Sequence, residues 1–274
     1  MLGGRIERLA DLMRGRSTLV LSGAGISTES GIPDYRGPAS AGRGRSPITY
    51  QDFVGSERKR QRYWARSFVG WPFMDGREPN GGHFAVAAME SSGNVSGVVT
   101  QNVDGLHLEA GSKTVVELHG NLRNVVCLRC GSVEDRHSLQ LRLAELNPDF
   151  SPLAPEYAPD GDSDVPDELV DSFVVAPCQV CGGVLKPEVV FFGENVPAQT
   201  YQRAKEMLED AEALLVVGSS LTVRSGYRFV VQAKAAEKPV AIVNDGPTRG
   251  DADADVKVSG RLGETLPRLA ELLL

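Results

Sequence analysis

Residues 95–120 read VSGVVTQNVDGLHLEAGSKTVVELHG. Two short apolar runs rich in valine, Val95–Thr100 and residues 114–118, bracket a polar passage. Uninterrupted runs of this length suit parallel strands buried on both faces. Each run ends in groups able to do chemistry: Gln101, Asn102 and Asp104 after the first, His119 after the second. Open α/β sheets bind ligands in the crevice beyond the carboxyl ends of their strands. The reading therefore sets Gln101, Asn102, Asp104 and His119 facing one site.

Similar apolar runs recur at Thr18–Ser22, 189–192, Ala213–Val217 and 239–243. Between them lie helical patterns, such as the apolar positions 6, 9, 12 and 13 and the segment 201–212. Strands alternating with helices predict an α/β fold with a doubly wound parallel (Rossmann-like) sheet. Residues 36–47 (RGPASAGRGRSP) lack periodicity and read as a mobile loop. The stretch 121–186 breaks the alternation, so it reads as a small inserted zinc-binding module, with 1–120 and 187–274 forming the main domain. Its Pro/Asp-rich part, 147–167, reads as a long loop.

At 274 residues the chain suffices for a main domain with a smaller one attached. A net charge of −7 argues against a non-specific nucleic-acid binder. The one basic run, 58–66 (RKRQRYWAR), reads as a solvated helix face. No run approaches the roughly 20 apolar residues of a membrane span. Charges interrupt the N-terminal MLGGRIERLADLMRG, which leaves no signal-peptide core and predicts a cytoplasmic location.

All four cysteines fall in two Cys-x-x-Cys pairs, Cys127/Cys130 and Cys178/Cys181. Two such hooks match a closed, structural tetrahedral Zn²⁺ site; free thiols or a redox pair is the other reading. The 47 residues between the hooks exceed the usual spacing. Closing that longer loop costs only about 1 kcal/mol more, whereas structural zinc contributes roughly 10–16 kcal/mol.

Gly23-Ala24-Gly25 follows the first strand, as a phosphate-cradling turn does. A dehydrogenase fingerprint would place a third glycine where Thr28 stands, and an acidic residue in the region occupied by Arg43 and Arg45. Simple hydride transfer is disfavoured. His119, with an ordinary pKa near 6.5, suits a general base. His107 suits a structural role in its turn, while His83 and His137 carry no context.

Taken together, GAGISTESGIPDYRG (23–37), QNVDGLHLEAG (101–111), ELHG (117–120), the cysteine pairs, KPEVVFFGE (186–194), GSSLTV (218–223) and IVND (242–245) resemble the sirtuins, NAD-dependent protein-lysine deacylases. The segments RYWARSFVGWP (62–72) and GSSLTVRSGYRF (218–229) look most like the class II branch. The resemblance implies that Gly23, Ala24 and Gly25 bind the pyrophosphate of NAD. It sets Ile32, Asp34, Arg36, Gln101 and Asp104 around the nicotinamide half, and Gly218, Ser219, Ser220, Asn244, Asp245 and Leu262 around the adenosine half. Asn102 would orient a ribose hydroxyl or water, and His119 would be the general base. An acyl-lysine protein would bind as an extended strand against Val190, Phe192, Gly193, Glu194, Val223 and Ser225, the last standing where many members have proline.

By the same resemblance, the acyl group passes to ADP-ribose with release of nicotinamide. Mono-ADP-ribosyl transfer to protein, and a non-catalytic NAD sensor or zinc-ribbon interaction module, are the competing functions. Tyr63 and Arg66 are three apart, hence on one helix face. In the family such a pair accompanies activity on succinyl- and malonyl-lysine, and an Arg fork matches a terminal carboxylate.

Overall fold

Strands covered on both faces need apolar residues at nearly every position, and the central strands of this chain have them. The computed structural model describes residues 2–35, 47–150, 161, 163 and 165–274. Arg36, the rest of 36–46 and part of the 147–167 loop lie outside the described residues. Among the described residues the strands are β1 Thr18–Ser22, β2 Val95–Thr100, β3 Val115–Glu117, β4 Gly120–Cys127, β5 Val133–Asp135, β6 Leu185–Val189, β7 Ala213–Val217, β8 Val240–Val243 and β9 Val256–Val258. Contacts divide the chain into one unit of residues 1–41, 78–118 and 196–274, and another of 42–77 and 119–195.

The first unit holds a six-stranded sheet in the order β3-β2-β1-β7-β8-β9, every pair parallel. Alternate side chains serve opposite faces, the two-residue period of a strand. Val20, Val98, Leu215, Val217, Ala241 and Val243 pack in one cluster with Ile6, Leu9, Met13, Val86, Met89, Leu266 and Leu269. These come from the helices Leu2–Met13, Gly81–Ser91 and Leu262–Leu273. Leu19, Leu21, Val99, Leu214, Val216 and Ile242 pack in a second cluster with Ala204, Leu208, Phe229 and Val230 of the helices Ala198–Asp210 and Arg224–Ala235. Helices on both faces make the sheet doubly wound, as expected from the alternation. The sheet order reverses direction between β1 and β7, the topological switch point at which such folds bind ligands.

The second unit contains an antiparallel sheet, β5-β4-β6, and the helices Tyr50–Gly55, Glu57–Asp75, Arg136–Leu146 and Asp167–Val170. Helix Glu57–Asp75 starts where Ser56 Oγ accepts the Lys59 N–H at 3.3 Å. Its basic run divides by face. Arg58 pairs with Asp171 and Arg62 with Asp167, each at 3.0 Å and well exposed, whereas Tyr63, Trp64 and Ala65 are buried. No described helix is long and apolar enough to cross a membrane.

Candidate functional site

At the switch point the backbones leaving β1 and β7 cross in contact. Gly23 N–H donates to the Val217 carbonyl at 3.0 Å, and Gly25 N–H to the Gly218 carbonyl at 2.8 Å. A Cβ at Gly25 would lie 2.8 Å from Gly218 Cα, and one at Gly218, where φ is +63°, 2.4 Å from Ile26 N. The glycines at 23, 25 and 218 are thus required by the approach of one loop to the other. A 3₁₀ helix, Ala24–Ser30, leaves this crossing and carries Ser27 inward.

Ser27, 1% exposed, is the hub of the site. Its Oγ donates to Asp104 Oδ2 at 2.7 Å and accepts from Asn102 Nδ2 at 3.0 Å. His83 Nε2 faces the same oxygen at 3.5 Å. Asn80 N–H donates to His83 Nδ1 at 3.3 Å, which leaves the proton on Nε2, pointing at Ser27. Burial pushes His83 down to about 4, against the opposing pull of the Asp104 charge. Asp104 is further fixed because its Oδ1 accepts the Leu106 N–H at 3.0 Å. The Asn102 amide and the Asp104 carboxylate are therefore held at the end of β2 in defined orientations.

His107 takes the structural part expected of it. It is buried, hydrogen-bonds Ser22 Oγ through Nε2 at 2.9 Å, and stacks edge-on to His83 at 5.0 Å. Burial first, and the neighbouring His83 second, hold it down to about 3, so the ring is neutral.

Gln101 is anchored beside the crossing: its N–H donates to the Ser22 carbonyl, and its Oε1 accepts from Ser219 Oγ at 2.7 Å. Ser219 Oγ also accepts the Leu221 N–H at 3.2 Å, and Ser220 Oγ bonds Thr222 Oγ1 at 3.1 Å. Ile32 is buried, with its N–H on the Ser27 carbonyl; Asp34 is half-buried. Asn244 is buried, with Nδ2 donating to the Gly246 carbonyl at 3.1 Å, whereas Asp245 is exposed. Leu262 belongs to the apolar cluster under the sheet. Val223 caps the helix Arg224–Ala235, and Ser225 lies in its first turn.

His119 opens the second unit and is half-buried. Its carbonyl accepts the Val190 N–H at 2.8 Å, which ties it to the turn after β6. That turn is pinned at each residue. Phe192 bridges Thr49 in parallel, its carbonyl accepting the Tyr50 N–H at 2.9 Å. The Gly193 carbonyl accepts from Gln51 Nε2 at 3.1 Å, and Glu194 Oε2 accepts the Phe191 N–H at 2.9 Å. Tyr63 packs among Phe53, Trp64 and Phe191 with ring separations of 5.2–5.4 Å. Arg66, one turn along, donates from Nε to the Ser163 carbonyl at 2.8 Å.

The sulfurs of Cys127, Cys130, Cys178 and Cys181 lie within 4.8 Å of one another, with Cys127–Cys181 at 3.5 Å and Cys130–Cys178 at 3.8 Å. Tetrahedral Zn–thiolate bonds of 2.3 Å require sulfurs about 3.8 Å apart. The four cysteines fit a structural Zn²⁺ with no open position. Each hook is a tight turn in which the glycine after the second cysteine donates back to the first: Gly131 to the Cys127 carbonyl, Gly182 to that of Cys178. Ser132 Oγ lies 3.2 Å from Cys130 Sγ and 3.3 Å from Cys178 Sγ, a hydroxyl supporting two ligands.

The sequence reading missed Ser27, His83 and Lys186. Ser27 sat unassigned within GAGIST. His83 had one local signal, the Asn80-x-x-His83 spacing of a helix capping box. Lys186 stood out only as a charge inside an apolar strand, LKPEV.

The model of the Sir2 family matches residues 23–225. The NAD-dependent protein deacetylase 1 of Streptomyces coelicolor is 55% identical over 265 residues, spanning 97% of this chain and 89% of that protein. The human NAD-dependent protein lipoamidase sirtuin-4, mitochondrial, is 48% identical over 268 residues, spanning 95% and 85%. Among solved structures, a Sir2 with p53 peptide and NAD+ superposes with a TM-score of 0.77 at 31% identity, covering 97% of each chain.

Proposed function

Because the chain belongs to the Sir2 family, we propose that it is an NAD-dependent protein-lysine deacylase. The observation that carries the reading is the Ser27-centred network. It fixes an amide and a carboxylate at the end of β2, beside the glycine crossing of the switch point.

In this reading NAD lies against Gly23, Ala24, Gly25, Ser219, Ser220 and Asn244, with Ile32, Gln101 and Asp104 taking the nicotinamide half. Separation of nicotinamide from the ribose gives C1′ oxocarbenium character, and the acyl-lysine carbonyl oxygen bonds to that carbon. Asn102 orients the ribose hydroxyl. His119 removes its proton, the hydroxyl oxygen attacks the acyl carbon, and water completes release of free lysine. The products are nicotinamide, lysine and O-acyl-ADP-ribose. No protein nucleophile is consumed. The acyl-lysine segment would lie extended along 190–194, and the zinc is structural.

The acyl preference is a finer part of the proposal. Tyr63 packs on Phe191, adjacent to the turn assigned to the peptide, and Arg66 follows it on the same helix. A guanidinium there suits a succinyl or malonyl carboxylate. Arg66→Met is expected to reduce desuccinylation at least about tenfold more than deacetylation, the scale of one charge-assisted hydrogen bond. Equal losses on both substrates would remove the carboxylate clamp. The similarity to proteins named lipoamidase makes lipoyl-lysine a necessary member of the panel.

The decisive experiment is mass spectrometry of products from acyl-lysine peptides with NAD. O-acyl-ADP-ribose supports deacylation, whereas ADP-ribose attached to the acceptor would replace it with ADP-ribosyl transfer.

A further inference from the structure

Lys186 is a buried charged side chain that the reaction just described does not use. Only 5% exposed, it sits in β6 between Leu185 and Pro187. An ammonium taken from water must recover its lost hydration from fixed partners, and this one does so mainly on the turn that follows it, with the Pro187 carbonyl at 3.4 Å and the Tyr50 ring at 5.9 Å as more distant neighbours. Nζ donates to the Val189 carbonyl at 2.5 Å and pairs with Glu194 Oε2 at 3.0 Å. It also lies 4.8 Å from the Phe191 ring centroid, within cation–π range.

These contacts join both ends of the turn. Val189 enters it and Glu194 leaves it, so one charge sets the distance across residues 190–193. The Glu194 oxygen that meets Nζ also accepts the Phe191 N–H at 2.9 Å. Glu194 is thereby turned inward, leaving backbone and the exposed Phe192 as the outer surface. The turn reaches His119 through the Val190 N–H on the His119 carbonyl.

We propose that Lys186 is a positioning residue whose buried ammonium sets the 190–193 backbone in the path that an extended peptide pairs with, and steadies the backbone of His119 through Val190. This inference rests on the reading of 190–194 as the peptide-binding turn. A salt bridge that only stabilised the fold would lower the apparent kcat with the amount of folded protein and leave the KM for both peptide and NAD unchanged. A positioning residue changes the peptide terms selectively.

The test compares wild type, Lys186→Met, Lys186→Arg and Glu194→Gln by steady-state nicotinamide release and by fluorescence anisotropy of a labelled acetyl-lysine peptide. Lys186→Met is expected to raise the peptide KM and Kd by about tenfold, with KM for NAD essentially unchanged. Lys186→Arg, which keeps the charge, should recover most of that loss. Glu194→Gln should shift the peptide terms in the same direction, and it decides the matter if Lys186→Met does not fold. Peptide KM and Kd at the wild-type level in Glu194→Gln and in folded Lys186→Met, or equal losses toward peptide and NAD, would overturn the proposal. Absence of nicotinamide release by wild type would sink the deacylase reading instead, while peptide anisotropy would still decide the role of Lys186.

Discussion

Ser27 Oγ, meeting Asp104, Asn102 and His83 at once, shows how a hydroxyl with no chemistry of its own organises groups that have some. Ser27→Ala deprives three polar side chains of a partner, two of them buried. Leaving such groups unsatisfied costs about 1–3 kcal/mol each, so a loss in kcat of at least about tenfold is expected, measured as nicotinamide release. Retention of wild-type kcat would mean that Asn102 and Asp104 are held by other contacts. The two histidines add a pH dependence. Both rings have native pKa values below the ordinary 6.5, at about 4 for His83 and about 3 for His107. Between those values and 6.5 the unfolded chain binds protons that the native chain does not. Stability is therefore complete above about pH 6.5 and falls as the pH drops through that range. By pH 5 the loss is on the order of 2 kcal/mol for each ring. Urea melts at pH 7 and pH 5 should register it, with a smaller drop in His83→Asn; identical midpoints at the two pH values would argue that the rings titrate normally.

At the level of elements, five strands of the parallel sheet and the two cysteine hooks were legible because each is encoded in contiguous residues; β9 was not, and the run expected at 189–192 is instead the end of β6 in the antiparallel sheet and the turn after it. TLVLS and ALLVV are buried at every position since both faces are covered, and each Cys-x-x-Cys is a single turn. The hooks end β4 and precede β6, so the metal they fit would fasten the small sheet at one end. Cys178→Ser is expected to abolish stoichiometric zinc in a chromogenic chelator titration. It should also accelerate amide exchange in β4 and β6 well ahead of β1 and β7. Structural zinc contributes roughly 10–16 kcal/mol to comparable sites, more than a small antiparallel sheet supplies by itself. Uniform exchange across both sheets would show that the metal does not stabilise this element selectively. The helix Glu57–Asp75 was harder to read. Its basic run describes only the outer face, and the burial of Tyr63 and Trp64 depends on Phe53, Phe191 and Leu185, residues distant in sequence or in another element.

For the whole molecule, binding and turnover should separate. NAD at about a hundredfold over its dissociation constant stabilises the protein it binds by about 2.7 kcal/mol. Wild type and His119→Ala are both expected to show a raised Tm, while His119→Ala forms no O-acyl-ADP-ribose and no free lysine. Turnover by that variant would remove His119 from the base role, and an unmoved Tm in wild type would remove NAD. The doubly wound sheet, the cysteine ligand set and the polar groups at the strand ends are all readable from the chain alone. Periodicity, hook spacing and strand-end position are local properties that a chain cannot hide. Which distant groups complete the site emerges from the folded arrangement. Ser27 meets His83 across 56 residues and Asn102 across 75. Gly25 meets Gly218 because two strands far apart in sequence are neighbours in the sheet. Lys186 became interpretable once its ammonium was seen shut away from water against Val189 and Glu194. A buried polar group is explained by its partners, and partners are fixed by topology, which local pattern does not carry.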